Sequence, residues 1–452
     1  MKRLIFLIAI IPNIILAQHT IKGTFSPAKD FNAVILYEIT PSALEYIDNA
    51  KIQEDGSVEL KLEASANKGM YKIVYALPED EHYIDIIYDA EEDIEFTFNL
   101  NDNVAFKTSK ENKLMASYRH SMALIQQSIS NFYSQKSEDY QALESIFKAQ
   151  RDTQANFEGA ALGTLALNFI KANRFYVPEK YEDAKTYMAN VEAHYFDYVD
   201  FSNEVLQSSN FLRDRMINYV YKISHDGLDE ASNYKRNIDV FYKAMSNAPL
   251  HIKGNLLSDL WERMAKDGLE DVANHIADSY LIDIAKLQNN KEQVYKLTTF
   301  RNTSLGRVAP DFSFEVKEND KSIIKKLSDL KGAENYIIVF WSSTCGHCLH
   351  EVPQLHSFLK NQEKNLKVVA VGLEGEANNW KDTIKQFPDF INVFGEGKWD
   401  NVIGDDYGVV ATPTYFILNE NKEIIAKPYN FLELKAYYEN GGHLVKADNK
   451  KI

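Results

Sequence analysis

Asn335-Tyr-Ile-Ile-Val-Phe-Trp341-Ser342-Ser343-Thr344-Cys345-Gly346-His347-Cys348 joins a β-rich run to the only two cysteines of the 452-residue chain. A short run of β-branched and aromatic residues reads as a buried strand. A C-x-x-C that follows such a strand and leads into a helix-like segment is the arrangement of dithiol/disulfide exchange. With no third cysteine the pair cannot be mis-bridged within the chain. Its exchange partner must be another molecule.

Working outward, a helix is expected from Cys345 to about Lys360, then a second buried strand, Leu366–Gly372. Trp380 to Phe387 reads as helical. Thr414–Leu418 and Glu423–Ala426 read as a strand pair turned at Asn419-Glu420-Asn421, and a last helix runs from about Phe431 to Glu439. The alternation predicts an α/β sheet flanked by helices over residues 304–452.

The residues suit the chemistry. At a helix start Cys345 meets unpaired N–H groups and the positive end of the helix dipole, which favour the attacking thiolate. Cys348, one turn deeper, is shielded and placed to resolve a mixed disulfide. Gly346 lets a substrate backbone come close, and a protonated His347 would stabilise the thiolate further. Glu351, three residues past Cys348, returns to the same helix side, and a half-buried carboxylate there could take the proton of Cys348. Trp341 is expected beneath the dithiol. Thr412-Pro413 precedes a strand, where a proline fits best as a cis peptide in a turn beside the dithiol.

These features together resemble the thioredoxin fold and, more narrowly, the TlpA/ResA-like extracytoplasmic thiol-disulfide oxidoreductases. The matching residues are Ala309-Pro310-Asp311-Phe312, the strand ending in Trp341, the C-x-x-C, Pro353 and Thr412-Pro413-Thr414. The resemblance implies that Cys345 and Cys348 exchange disulfides, that Glu351 serves in proton transfer, and that Thr412 and Pro413 shape the client groove. It implies client proteins with cysteines or disulfides as partners, a membrane-linked electron donor, and no cofactor beyond the Cys345–Cys348 disulfide. Two positions depart from the pattern. Thr344 stands where tryptophan is usual, and Val339 stands where thioredoxin keeps a buried aspartate, which leaves Glu351 to act alone. Gly346-His347 is the inner dipeptide of protein disulfide isomerase, so the redox direction, expected as reductant, stays open.

Other parts of the chain have different periods. Residues 18–108 alternate like strands: Val58, Leu60 and Leu62 against Glu59, Lys61 and Glu63, and Ile94, Phe96, Phe98 and Leu100 against Glu95, Thr97 and Asn99. Short strands with turns between them predict an antiparallel β-sandwich-like domain. Through the Asp55-Gly56 turn and Lys68-Gly69-Met70-Tyr71 this region also resembles a small β-domain of undefined role found ahead of such thioredoxin domains in exported proteins of Gram-negative bacteria. Residues 109–303 carry a helical period, as in Met122, Ile125, Ile129 and Phe132, or Leu257, Leu260, Trp261 and Met264. Pro178 and Pro249 each suit a helix start.

Lys2 and Arg3 followed by an apolar run to Leu16 and the small Ala17 read as a signal peptide over residues 1–17 and predict export; the resemblance of the β-domain to those of exported Gram-negative proteins implies the periplasm. No later stretch is long and apolar enough to span a bilayer. A formal net charge of −15 argues against nucleic acid or anionic lipid as partners. A zinc site would need about four ligands, and only His347 and His350 adjoin the cysteines, so no metal is expected. A peroxidase would need proline and threonine where Ile338 and Ser342 stand. The rival class is a periplasmic binding or chaperone-like protein in which the β and helical domains hold a partner and the dithiol is accessory.

Overall fold

The computed structural model describes residues 19–442 apart from 42, 102, 319, 320, 361, 363 and 364. The expected signal segment, with its cleavage near Ala17, lies outside the described residues. Among the described residues no helix is long and apolar enough to cross a membrane. The chain divides into two compact units, one ending at Leu256 and the other beginning at Leu257.

In the first unit eight strands make two four-stranded sheets. One contains β1 (Thr20–Ser26), β4 (Ser57–Lys61), β7 (Ile94–Asn99) and β8 (Asn103–Phe106) in the order β4-β1-β7-β8. The other contains β2 (Ala33–Ile39), β3 (Leu44–Lys51), β5 (Gly69–Val74) and β6 (Tyr83–Tyr88) in the order β3-β2-β5-β6. Val58, Leu60, Ile94, Phe96 and Phe98 point inward, and they meet Val34, Leu36, Ile73 and Ile86 of the other sheet in one core. Each sheet has one apolar face and buries it on the other, which gives the sandwich. Gly23 permits a close approach: a Cβ there would lie 2.6 Å from Cζ of the Phe96 ring.

Two details depart from the sequence reading. Leu100 does not continue the alternation, because β7 ends at Asn99 and Leu100 is 55% exposed. β1 and β7 pair in parallel, with Ile21 opposite Ile94, within an otherwise antiparallel arrangement. The chain between them makes β4 of the same sheet and all four strands of the second, which is the long connection that parallel neighbours need.

From Lys110 the helical period takes over. In the helix Lys110–Ser134, Met122, Ile129 and Phe132 are buried, and the last two share a cluster with Leu143 and Phe147 of the helix Tyr140–Ala160. Asp139, Asp183 and Asp229 each accept a backbone N–H at a helix start, satisfying donors that helix geometry leaves open. Pro249 immediately precedes the helix Leu250–Lys266 as expected. Pro178 does not start a helix: it lies in an irregular stretch, and Asp183 caps the helix Ala184–Ala193 instead. Asn112 ties helix to sandwich by accepting from Ile87 N at 2.9 Å and donating to Ile87 O at 2.6 Å.

The second unit places helices from Leu257 onward with the α/β sheet. That sheet has five strands in the order β13-β12-β11-β14-β15. β11 (Asn335–Trp341) lies in the middle, parallel to β12 (Leu366–Glu374) and antiparallel to β14 (Thr414–Asn419). β13 (Ile391–Glu396) and β15 (Ile424–Ala426) are the edges, and a separate pair, β9 (Ser313–Glu318) and β10 (Lys321–Lys326), precedes the sheet. Ile337, Val339 and Trp341 pack on one face with Cys348, Val352 and Leu355. Tyr336, Ile338 and Phe340 pack on the other with Phe312 and Tyr407. Both faces are covered, so the apolar run of β11 is continuous rather than alternating. The helix Lys291–Asn302 is fixed to this layer by Tyr295 Oη, which donates to Asp405 O at 2.7 Å.

One buried ionic cluster lies in the first unit. Lys72 Nζ sits 4.0 Å over the Tyr83 ring and donates to Asn210 Oδ1 at 3.5 Å, while Asn210 donates to Asp85 Oδ2 at 3.2 Å. Burial raises the Asp85 carboxyl from 3.8 to about 6, against the opposing pull of Lys72. A raised acid in the folded state contributes stability that is present below its unfolded value and lost as pH rises through about 6. The stability of Asp85→Asn relative to the parent chain should therefore increase between pH 4.5 and pH 7, as measured by urea unfolding at both pH values. A difference that is flat over this window would show that Asp85 is not the titrating group.

Candidate active site

β11 ends at Trp341, and four residues later the helix Gly346–Leu359 begins with Cys345 as its N-cap. That placement puts the Cys345 sulfur against the open N–H groups of the first turn: Cys348 N donates to it at 3.3 Å. On the other side Thr412 O lies 3.4 Å from the same sulfur. The Thr412–Pro413 peptide is cis, and the loop before β14 packs beside the dithiol. Partial burial pushes the Cys345 thiol up, but hydrogen bonds from the Cys348 thiol, the Thr412 side chain and the backbone N–H groups of Cys348 and His347 outweigh it, and the net direction is down.

Cys348 has the opposite environment. It is fully buried in the cluster that holds Trp341, Val352 and Tyr415. Burial, with the neighbouring Cys345 sulfur, pushes its thiol up to about 12. Both cysteines are free thiols. The pair therefore contains one sulfur prepared to ionise and one held protonated.

The other expected residues fall around this pair. Trp341 is fully buried, with its ring edge-on to Phe387 at 6.1 Å. Gly346 is exposed, and a Cβ there would meet nothing within 4 Å, so this side is open to a substrate. His347 is exposed as well, and what it gives the sulfur is its backbone N–H. Glu351 is half-buried, and its Oε2 accepts from Tyr415 Oη at 3.0 Å and from Phe431 N at 2.8 Å. Among the described residues no group of three or more His, Cys, Asp or Glu is placed to hold a metal ion.

Two site residues were missed by the sequence reading. Tyr415, two positions after the cis proline, is 1% exposed and lies close to Glu351 and both sulfurs. Burial and the Glu351 charge push its hydroxyl well above the ordinary range, so it stays a donor. Glu374 is 2% exposed at the end of β12, which runs two residues past the Gly372 that pairs with Trp341. Its carboxylate accepts from Ser343 N and from Ser342 Oγ, the latter at 3.2 Å. Ser342 in turn accepts Thr344 N at 3.2 Å, and its carbonyl takes Cys345 N at 3.1 Å. Thr344, where a tryptophan is usual, thus closes a polar turn anchored on Glu374. The available signal was an acid at the end of an apolar parallel strand, where α/β sites form.

Fold and site together define a thioredoxin-like α/β domain with a dithiol at a helix start. Residues 333–424 match the family described as Thioredoxin-like. The chain is 33% identical over 122 residues to the Thioredoxin-like protein YneN of Bacillus subtilis, covering 25% of this chain and 65% of that protein. It is 33% identical over 96 residues to the Sporulation thiol-disulfide oxidoreductase A of the same organism, covering 20% of this chain and 54% of that one. A solved domain of a possible thiol-disulfide isomerase from Cytophaga hutchinsonii shares 30% identity, covering 30% of this chain and 91% of its own, with a TM-score of 0.26. The chain thus spans less than two thirds of the length of either curated relative.

The contrast between the sulfurs predicts the alkylation profile of the reduced protein. Reaction of Cys345 with iodoacetamide should reach half its maximal rate below the ordinary thiol value of about 8.5, while Cys348 stays unmodified until the protein unfolds. Peptide mapping across a pH series reads both. Equal labelling of the two cysteines would contradict the assignment.

Proposed function

We propose that this chain is an extracytoplasmic thiol-disulfide oxidoreductase of the TlpA/ResA type, acting in the periplasm to reduce disulfides in client proteins. The observation that supports it most is the asymmetry of the two sulfurs: Cys345 lowered at the helix start, Cys348 buried and raised to about 12.

The chemistry balances without a metal, nucleotide or flavin. The Cys345 thiolate attacks one sulfur of a client disulfide, the client S–S bond breaks, and the second client sulfur leaves with the electron pair and takes a proton. Cys348 then loses its proton and attacks the Cys345 sulfur of the mixed disulfide. The Cys345–Cys348 bond forms, and the client leaves as a thiol, two electrons richer. Glu351, one helical turn past Cys348, is the proton acceptor of this second step. Tyr415 and the Phe431 N–H hold its Oε2 in place. Gly346 and the Thr412–Pro413 loop receive the client backbone. A membrane-linked dithiol donor returns the electrons.

Redox equilibration of Cys345 and Cys348 with glutathione or dithiothreitol buffers tests the direction. A reductant should have a potential near thioredoxin's, roughly −270 mV, whereas a value toward −180 to −120 mV would make it an oxidase or isomerase. A pair that does not cycle at all in the folded chain would leave the partner-binding reading in its place. Glu351→Gln should slow the second step by about 10²-fold, so that the mixed disulfide with a client peptide accumulates, and raising the pH should restore the rate. An unchanged resolution rate would remove Glu351 from the mechanism.

A further inference from the structure

Within the second unit a groove of about 720 Å³ is lined by residues that the exchange steps do not use. Trp261, Leu297 and Phe300 line it from the helices Leu250–Lys266 and Lys291–Asn302. Tyr407, Gly408 and Val410 line the opposite side. That side is the beginning of the active-site loop. Two residues beyond Val410, Thr412 presents its carbonyl to Cys345 Sγ at 3.4 Å. The groove edge is therefore at most about 7 Å of chain from the residue that touches the sulfur.

Helix and loop are locked together, so the groove is preformed. Tyr295 Oη holds Asp405 O at 2.7 Å. Gly408 has φ +63°, and a Cβ on it would lie 3.0 Å from Thr299 Cγ2. At the rim Val410 is 90% exposed and Tyr295 is 48% exposed. Apolar surface gathered in one place on a protein marks a partner site more often than isolated exposed residues do. The charges at the edge are unequal. Lys296 is paired with Glu262 at 2.7 Å and lies 5.2 Å over the Trp261 ring, while Glu292 has no ion pair among the described residues.

We propose that this groove is the client subsite: it takes a bulky apolar or aromatic side chain two to four residues from the client cysteine, with neutral or basic neighbours. The inference rests on the oxidoreductase reading and names its substrate class. The substrate is an extended, non-acidic polypeptide segment, not a small acidic thiol such as glutathione. An extended client spans about 3.3 Å per residue, which carries a side chain from Cys345 past Thr412 and Val410 into the groove.

The test uses the full reduced chain and two decapeptides, each with one cysteine blocked as a mixed disulfide with 5-thio-2-nitrobenzoate. One carries tryptophan three residues to either side of the cysteine, the other serine. Cys345 attacks the peptide sulfur, the aryl thiolate leaves with the electron pair and is read by its absorbance, and Cys348 then displaces the peptide thiol. The tryptophan peptide should react at least about tenfold faster, the range that a single apolar pocket supplies. In Val410→Asp, an exposed position where folding is not at stake, the ratio of the two rates should fall toward one. Trp261→Ala should do the same. Each rate is referred to that variant's own rate with the symmetrical dinitrobenzoate disulfide. Equal rates for both peptides in the parent chain, or a ratio that survives Val410→Asp, would overturn the subsite. A parent chain that leaves even the small disulfide intact would overturn the oxidoreductase reading itself, and the subsite with it.

Discussion

Everything at the site depends on a sulfur atom taking the place of a helix cap. Cys345 ends a turn and begins a helix, so its side chain faces backbone donors that the helix cannot satisfy internally, and Cys348 N reaches it at 3.3 Å. A hydroxyl or carboxylate in that position would only stabilise the helix. A thiol there gains acidity as well, because the same donors favour its anion. The fold supplies the other half of the contrast by driving Cys348 into the apolar layer under β11, where ionisation costs most.

The surrounding polar groups are arranged so that no carboxylate at the site is left without donors. Glu351 accepts a phenol and a backbone N–H, and Glu374 accepts a backbone N–H and a hydroxyl. Buried charge is tolerated only when it is bonded in this way. The two acids do different things. Glu351 sits on the helix beside Cys348, within the proton path proposed for the second step. Glu374 holds the Ser342–Thr344 turn, and through it the direction from which Cys345 enters its helix.

Much of the second unit could be read from local pattern. The strand ending at Trp341, the helix starting at Cys345, the Thr414–Asn419 strand and the final helix from Phe431 all follow from period and composition. β13 escaped, because Ile391–Glu396 is a half-buried edge that pairs only with β12 and carries a weak apolar signal. In the first unit the alternation predicted the inward residues of β4 and β7 as far as Phe98. It could not indicate that β1 would meet β7 in parallel, since direction within a sheet is set by the route of the intervening chain. Pro178 illustrates the same limit: its fixed φ suits a helix start, but the chain used it in an irregular segment and left the cap to Asp183.

The sequence alone singled out the groups on which the proposed exchange rests. Two cysteines at a fixed spacing, placed between a strand and a helix, define the dithiol, and the helix period puts Glu351 on the side of Cys348. Tertiary structure decided how those groups are tuned. Ser343 meets Glu374 from 31 residues away, Tyr415 meets Glu351 across 64, and Phe431 meets it across 80. No local period records such pairings, because they arise when the sheet brings strands and helices from distant parts of the chain together. The helix start could be read from four consecutive residues. The donors, the burial and the groove around it exist only once the sheet has closed over them.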